Sequence, residues 1–271
     1  MKLNQTQKVI LLVFLSFAAY YFLFLNFKAI KVAIKALTNQ GLIGYVLSYL
    51  IIGIPIFIGT YIIDRRSSIF KSLGLSSNIF TAIWTSLLFT LPMFLGGLLF
   101  FKINLQIEVD SLVAATIIAG FMEELYFRGF LFGQLFKKTN LGFIPSVLFG
   151  ALIFAFAHLY QSQNINQLIG IFLITFSGAV FFAWLYVEWN YNLWVPIFTH
   201  TLMNLSWRLF EVDSSALGDV KANIFRGLTI FIAITFTIFF KKHSNQRLLI
   251  NRQTLMLKNE NGTEGQLQEI T

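Results

Sequence analysis

Not one of the 271 residues is cysteine, which removes disulfides, thiolate metal ligands and a cysteine nucleophile from consideration. Charge is scarce as well. Asp, Glu, Lys and Arg make up 12% of the chain, about half of the ~25% usual in globular domains. There is no His-Glu-x-x-His pair of helical zinc ligands, no Gly-x-Ser-x-Gly nucleophile elbow and no internal repeat of the kind that marks many transporters. What fills the sequence instead is apolar: 56% hydrophobic residues, 32 of them Phe, with a mean hydropathy of +0.71. Such a composition excludes an ordinary soluble domain and describes a polytopic membrane protein. The net charge of +8 then reads as loop lysines and arginines that set topology, not as a nucleic-acid surface.

A membrane span needs about 20 apolar residues. Eight stretches qualify: 9–27, 42–63, 79–101, 111–136, 145–163, 167–187, 192–210 and 224–240. The expected fold is all-α, a transmembrane bundle of about eight helices over residues 1–240, with a polar cytoplasmic tail, largely disordered, over 241–271. His243 falls in that tail as a surface residue. The first apolar run follows Lys2 and Lys8 as a signal peptide would, but it is too long for an h-region and lacks a small-residue cleavage site, so it reads as a retained span. Asp110 suits the N-cap of the fourth helix and Pro145 the first turn of the fifth. Trp184, Tyr186, Trp189, Tyr191 and Trp194 suggest an interfacial aromatic belt. Gly96-Gly97 and Gly129/Gly133 would allow close contact between helices. With the N-terminus inside, twelve lysines and arginines fall on inner loops and tails and six on the outer side. That bias places both termini in the cytoplasm, in a cell membrane of bacterial type.

Against this apolar background the fourth span holds Glu123, Glu124 and Arg128. Ionisable groups at such depth are rare and mark functional sites by default. Glu124 and Arg128 are four residues apart, share a helix face and stand in the favourable order for an ion pair. Glu123 lies about 100° round the helix from Glu124, without that partner, and suits a general base for water. Two later apolar segments supply His158 and the pair His200 and Asn204. His158 can orient or deprotonate a water; His200 and Asn204 can donate hydrogen bonds to a developing oxyanion. At 1.5 Å per residue, Glu123 lies about 18 Å from Ser111, His158 about 20 Å from Pro145 and His200 about 12 Å from Asn192, so all three fall at middle depth.

Glutamate and histidine are also competent zinc ligands. Here they would come from three separate helices without a zinc motif, and neither metal nor cofactor is expected. Two other readings remain beside catalysis: a non-enzymatic immunity or scaffold protein that uses the polar cluster for structure, and a small-solute transporter with Glu123 as a proton relay.

Taken together, Glu-Glu-x-x-x-Arg (Glu123, Glu124, Arg128), Phe-x-x-x-His (Phe154, His158) and His-x-x-x-Asn (His200, Asn204), each in its own apolar segment, resemble the three motifs of the CAAX prenyl endopeptidase and bacteriocin-processing (Abi) family. The resemblance covers residues 110–210. It implies an intramembrane glutamic endopeptidase acting on a membrane-associated peptide, lipidated or bacteriocin-like. By motif, Glu123 and His158 would activate water, His200 and Asn204 would stabilise the oxyanion, and Glu124 and Arg128 would support the site. The partners implied are the lipid bilayer and a peptide substrate, with no nucleic acid; substrate identity and oligomeric state are left open.

Overall fold

The computed structural model describes residues 3–258. Among them the chain forms ten helices. They are α1 (Gln5–Phe24), α2 (Phe27–Thr38), α3 (Gly41–Ile63), the short α4 (Ile69–Leu73), α5 (Ile79–Phe100), a long composite α6, α7 (Phe143–Ala157), α8 (Ile165–Glu188), α9 (Trp194–Leu209) and α10 (Val220–His243). Helix α6 runs without a break through Val109–Val113, Ala114–Ile118, Ala119–Glu123, Glu124–Phe132 and Gly133–Lys138; the second and fourth of these pieces are π-helical. The expected all-α membrane bundle is what the chain adopts.

Among the described residues six helices are long and apolar enough to cross a bilayer: α1, α3, α5, α7 with its 3-10 extension to Gln161, α8 and α10. The other two long elements, α6 and α9, carry motif residues. They can be more polar because they sit inside the bundle. Along α6, Glu124, Tyr126, Arg128, Phe130 and Leu131 are all buried, and α9 buries Val195, Ile197, Thr199 and His200. The charged motif residues thus fall on helices whose faces meet protein, which is where intramembrane charge is tolerable, and α7 is the one apolar span that also carries motif residues, Phe154 and His158.

Loop contacts sort the connections into two ends. Asp64 pairs with Lys138 at 2.7 Å, Leu193 N donates to Gly74 O and Gly142 N to Met256 O, so segments 64–78, 139–142, 189–193 and 244–258 share one end. At the other, Asn104 N donates to Leu209 O and Ala216 N to Gln161 Oε1. Burial alone would push the Asp64 carboxyl up, but the hydrogen bond and charge of Lys138 more than offset it and hold it below the usual carboxylate range. Between the first two apolar runs the chain folds as α2, none of whose residues is buried, and Lys28, Lys31 and Lys35, three of the six outer cations, recur along it at helical spacing.

Several local expectations need correction. Glu108, not Asp110, is the N-cap of α6, and Asp110 sits in its first turn, where a carboxylate still complements the helix dipole. Pro145 does lie in the first turn of α7. Tyr186 and Trp189 do not form a lipid-facing belt. Both are buried; the Trp189 indole N–H donates to Thr237 Oγ1 and Tyr186 packs beneath α4. The Gly96-Gly97 notch receives the rings of Phe225 and Phe210 in place of another helix backbone.

The largest correction concerns the tail. Residues 259–271 lie outside the described residues, but 244–258 fold back onto the bundle. Glu188, 1% exposed, accepts from Lys241 Nζ at 2.8 Å and from the backbone N–H groups of Leu249 and Ile250. The carbonyls of Met256, Thr254 and Leu255 accept from Gly142 N, Phe143 N and Ile144 N, so the first turn of α7 is capped by tail backbone, since Gly142 has no side chain to do it. Polar composition signalled solvation; it missed that these groups have buried partners. Lys258 closes the segment by donating to the Phe136 carbonyl, and burial pulls its ammonium down to about 8.

Candidate active site

The two adjacent glutamates part company in the structure. Glu124 is fully buried; its Oε1 lies 3.2 Å from Arg128 Nη1 and 2.7 Å from His200 Nδ1. The expected ion pair at four-residue spacing is therefore formed, inside a π-helical turn. The Glu123 side chain keeps 25% of its surface exposed and lines a cavity of about 1420 Å³. That cavity is also lined by His158, His200 and Asn204, so the four residues assigned catalytic roles on motif grounds meet one space.

How they meet depends on local sequence. Helix α9 can approach α6 beside Glu123 because residue 120 is glycine: a Cβ there would lie 2.7 Å from Thr201 Oγ1, closer than such contacts allow. Thr201 follows His200, so Gly120 sets the distance between the first and third motifs. Two π-helical pieces flank Glu123 on either side in sequence. Such wide turns recur at functional sites because they re-aim side chains without breaking the helix.

His200 bridges the glutamates. Its Nδ1 donates to Glu124, and its Nε2 stands 3.9 Å from Glu123 Oε2, beyond hydrogen-bond range. Its ring stacks on Phe182, centroids 5.0 Å apart and planes 14° apart. Asn204, one turn on, places its amide nitrogen 3.4 Å from the Ala115 carbonyl, a long contact that leaves it little constrained.

His158 sits at the C-cap of α7. At 15 residues, α7 is about 22 Å long, and a 3-10 turn over Leu159–Gln161 continues the span beyond His158. The imidazole Nδ1 lies 2.7 Å from the Phe154 carbonyl oxygen. A carbonyl can only accept, so Nδ1 carries the proton and Nε2 is the basic nitrogen.

Arg128 is 2% exposed, and among the described residues neither terminal nitrogen has a partner in hydrogen-bond geometry. Its guanidinium lies between two rings, 4.6 Å from the centroid of Phe154 and 5.4 Å from that of Phe182. The sequence singled out Phe154 as a motif residue. It gave no sign of Phe182, which lies in an apolar run where nothing separates one phenylalanine from the next.

Known proteins point the same way as this geometry. Residues 104–206 match the family described as type II CAAX prenyl endopeptidase Rce1-like. Among curated proteins, "Putative membrane peptidase YdiL" of Bacillus subtilis (strain 168) is 35% identical over 96 residues, which make up 34% of this chain and 34% of that protein. The similarity thus spans about a third of the relative's length. No solved structure matches.

Proposed function

We propose, on the premise that the motif-bearing segment belongs to the Rce1-like CAAX prenyl endopeptidase family, that this multi-pass membrane protein is an intramembrane endopeptidase of a bacterial cell membrane in which Glu123 is the general base. The observation that carries the reading is the division between the glutamates. Glu124 is committed to Arg128 and His200, whereas Glu123 is the one of the two that lines the cavity.

In this reading Glu123 takes a proton from water as the water oxygen attacks the carbonyl carbon of the scissile peptide bond. His158 Nε2 accepts a hydrogen bond from the same water and aims it. The carbonyl π electrons move onto oxygen, where His200 Nε2–H and Asn204 Nδ2–H stabilise the charge. Because Nδ1 of His200 already donates to Glu124, Nε2 can donate only when the ring carries both protons, a state with a carboxylate on either side of it. Collapse of the tetrahedral intermediate breaks the C–N bond. The proton held by Glu123 passes to the leaving amine, which restores the carboxylate. A metal is not needed for any of these steps.

The test is Glu123→Gln, which keeps shape and removes the base. Peptides released by cells and by vesicle-reconstituted protein are compared with those of the wild type. General-base catalysis contributes about 10²–10⁴-fold, and turnover should fall by that factor while folding is retained. Identical peptide profiles would instead favour a peptide-binding immunity or scaffold protein that hydrolyses nothing.

A further inference from the structure

One closed circuit of contacts is not explained by the motifs. Glu124 Oε1 touches both Arg128 (3.2 Å) and His200 (2.7 Å), and the ring of Phe182 touches the same two groups from the other side. It is stacked 5.0 Å from the His200 ring and its centroid is 5.4 Å from the guanidinium carbon. These four side chains come from three helices, α6, α8 and α9. Phe182 lines the cavity yet is only 6% exposed, so its ring lies between the cavity and the Glu124–Arg128 pair.

We propose that Phe182 is a positioning residue of the active site: its ring holds the plane of His200 against Glu124 and screens the buried ion pair from the water that the reaction admits. Three observations favour this over ordinary core packing. The ring is nearly parallel to the imidazole, at 14°, so it fixes the ring plane while the hydrogen bond to Glu124 fixes its in-plane direction; together they aim Nε2 at the Glu123 side of the cavity. Among the described residues the two terminal nitrogens of Arg128 have no partner in hydrogen-bond geometry, so beside the ion pair with Glu124 the faces of Phe154 and Phe182 help hold the guanidinium, by an attraction that strengthens when water is excluded. Finally, Phe154 also joins a histidine to the guanidinium, 4.6 Å from Arg128 and 4.4 Å from the ring of His158, there with the planes tilted by 39°. Each histidine of the site is thus braced by a phenylalanine that also faces Arg128.

The proposal rests on the peptidase reading, and the experiment separates the two. The variants are Phe182→Leu, Phe182→Tyr and, as a packing control on the same helix, Phe176→Leu, which lies outside the cavity. On a peptide cleaved by the wild type, Phe182→Leu should lose at least tenfold in kcat with KM within about twofold, and its pH–rate profile should move. Phe182→Tyr should keep at least a third of the rate, and Phe176→Leu should match the wild type. The chain has only three histidines, so imidazole ¹⁵N signals in detergent can be assigned by single substitution. The His200 titration should shift in Phe182→Leu and not in Phe176→Leu, a readout that stands even if no peptide is cleaved. If Phe182→Leu and Phe176→Leu agree in kcat, pH profile and His200 titration, Phe182 is core packing and the proposal falls.

Discussion

The pairing of Glu124 with Arg128 gives the sharpest quantitative test, because both residues are buried and the geometry says what each substitution leaves behind. In Glu124→Gln the new amide can still accept from His200 Nδ1 through its oxygen. Its NH₂ must then face the Arg128 guanidinium, donor against donor, which keeps only the rings of Phe154 and Phe182 as neighbours and the more distant charge of Glu123. Removing one partner of a buried ion pair costs about 3–5 kcal/mol. At about 2–4 °C per kcal/mol for a chain of this size class, thermal unfolding in detergent should fall by about 6–20 °C. Changing Arg128→Gln as well removes the stranded charge, and the double variant should recover about 1–3 kcal/mol relative to the sum of the singles, as directly touching residues do. Glu123→Gln, with a partly exposed side chain and no hydrogen bond to lose, should unfold within about 2 °C of the wild type, since surface-type changes stay within about ±0.5 kcal/mol. A Glu124→Gln protein as stable as the wild type, or a Glu123→Gln protein less stable than it, would refute the division of roles between the two glutamates.

Three further outcomes are expected. Peptidase activity in detergent should survive extensive chelation; loss with chelator and recovery on adding stoichiometric Zn²⁺ would overturn the water-activation scheme. Reporter fusions at Lys258 and within 102–110 should report opposite sides of the membrane, with Lys258 cytoplasmic, as the charge bias requires; an external signal from Lys258 would reverse the topology. The buried Lys258 ammonium has a folded value of about 8 against about 10.4 unfolded, so the penalty for its charge is present below about pH 8 and relieved as pH rises toward 10.4. Anchoring of the 244–258 segment, followed by limited proteolysis, should therefore tighten between those values, and Lys258→Met should abolish the dependence.

Much of the site was legible in the sequence because charge in an apolar run has so few explanations. Glu123, Glu124 and Arg128 stood out for that reason, and four-residue spacing predicted the ion pair. The number of long helices followed from hydropathy. What hydropathy averages cannot carry is direction. They do not show that α6 winds as a π-helix around its motif, nor that the lysines of 28–35 lie on a helix. His200 was read as a partner for the oxyanion alone. Its hydrogen bond to Glu124 spans 76 positions and leaves no local pattern. The 244–258 segment was misread because its polar groups looked unpartnered in one dimension; their partners, Glu188 and the start of α7, are more than fifty residues away.

That last contact has a consequence for the order in which the molecule can be built. Three amides at the head of α7 are satisfied by carbonyls from residues 254–256, and His158 stands at the other end of the same helix. While α8, α9 and α10 are still being made, those amides have no protein acceptor and are left to water at the loop end of the bundle. The head of α7, the helix that ends at His158, gains its protein partners only once the 244–258 segment has been made and folds back.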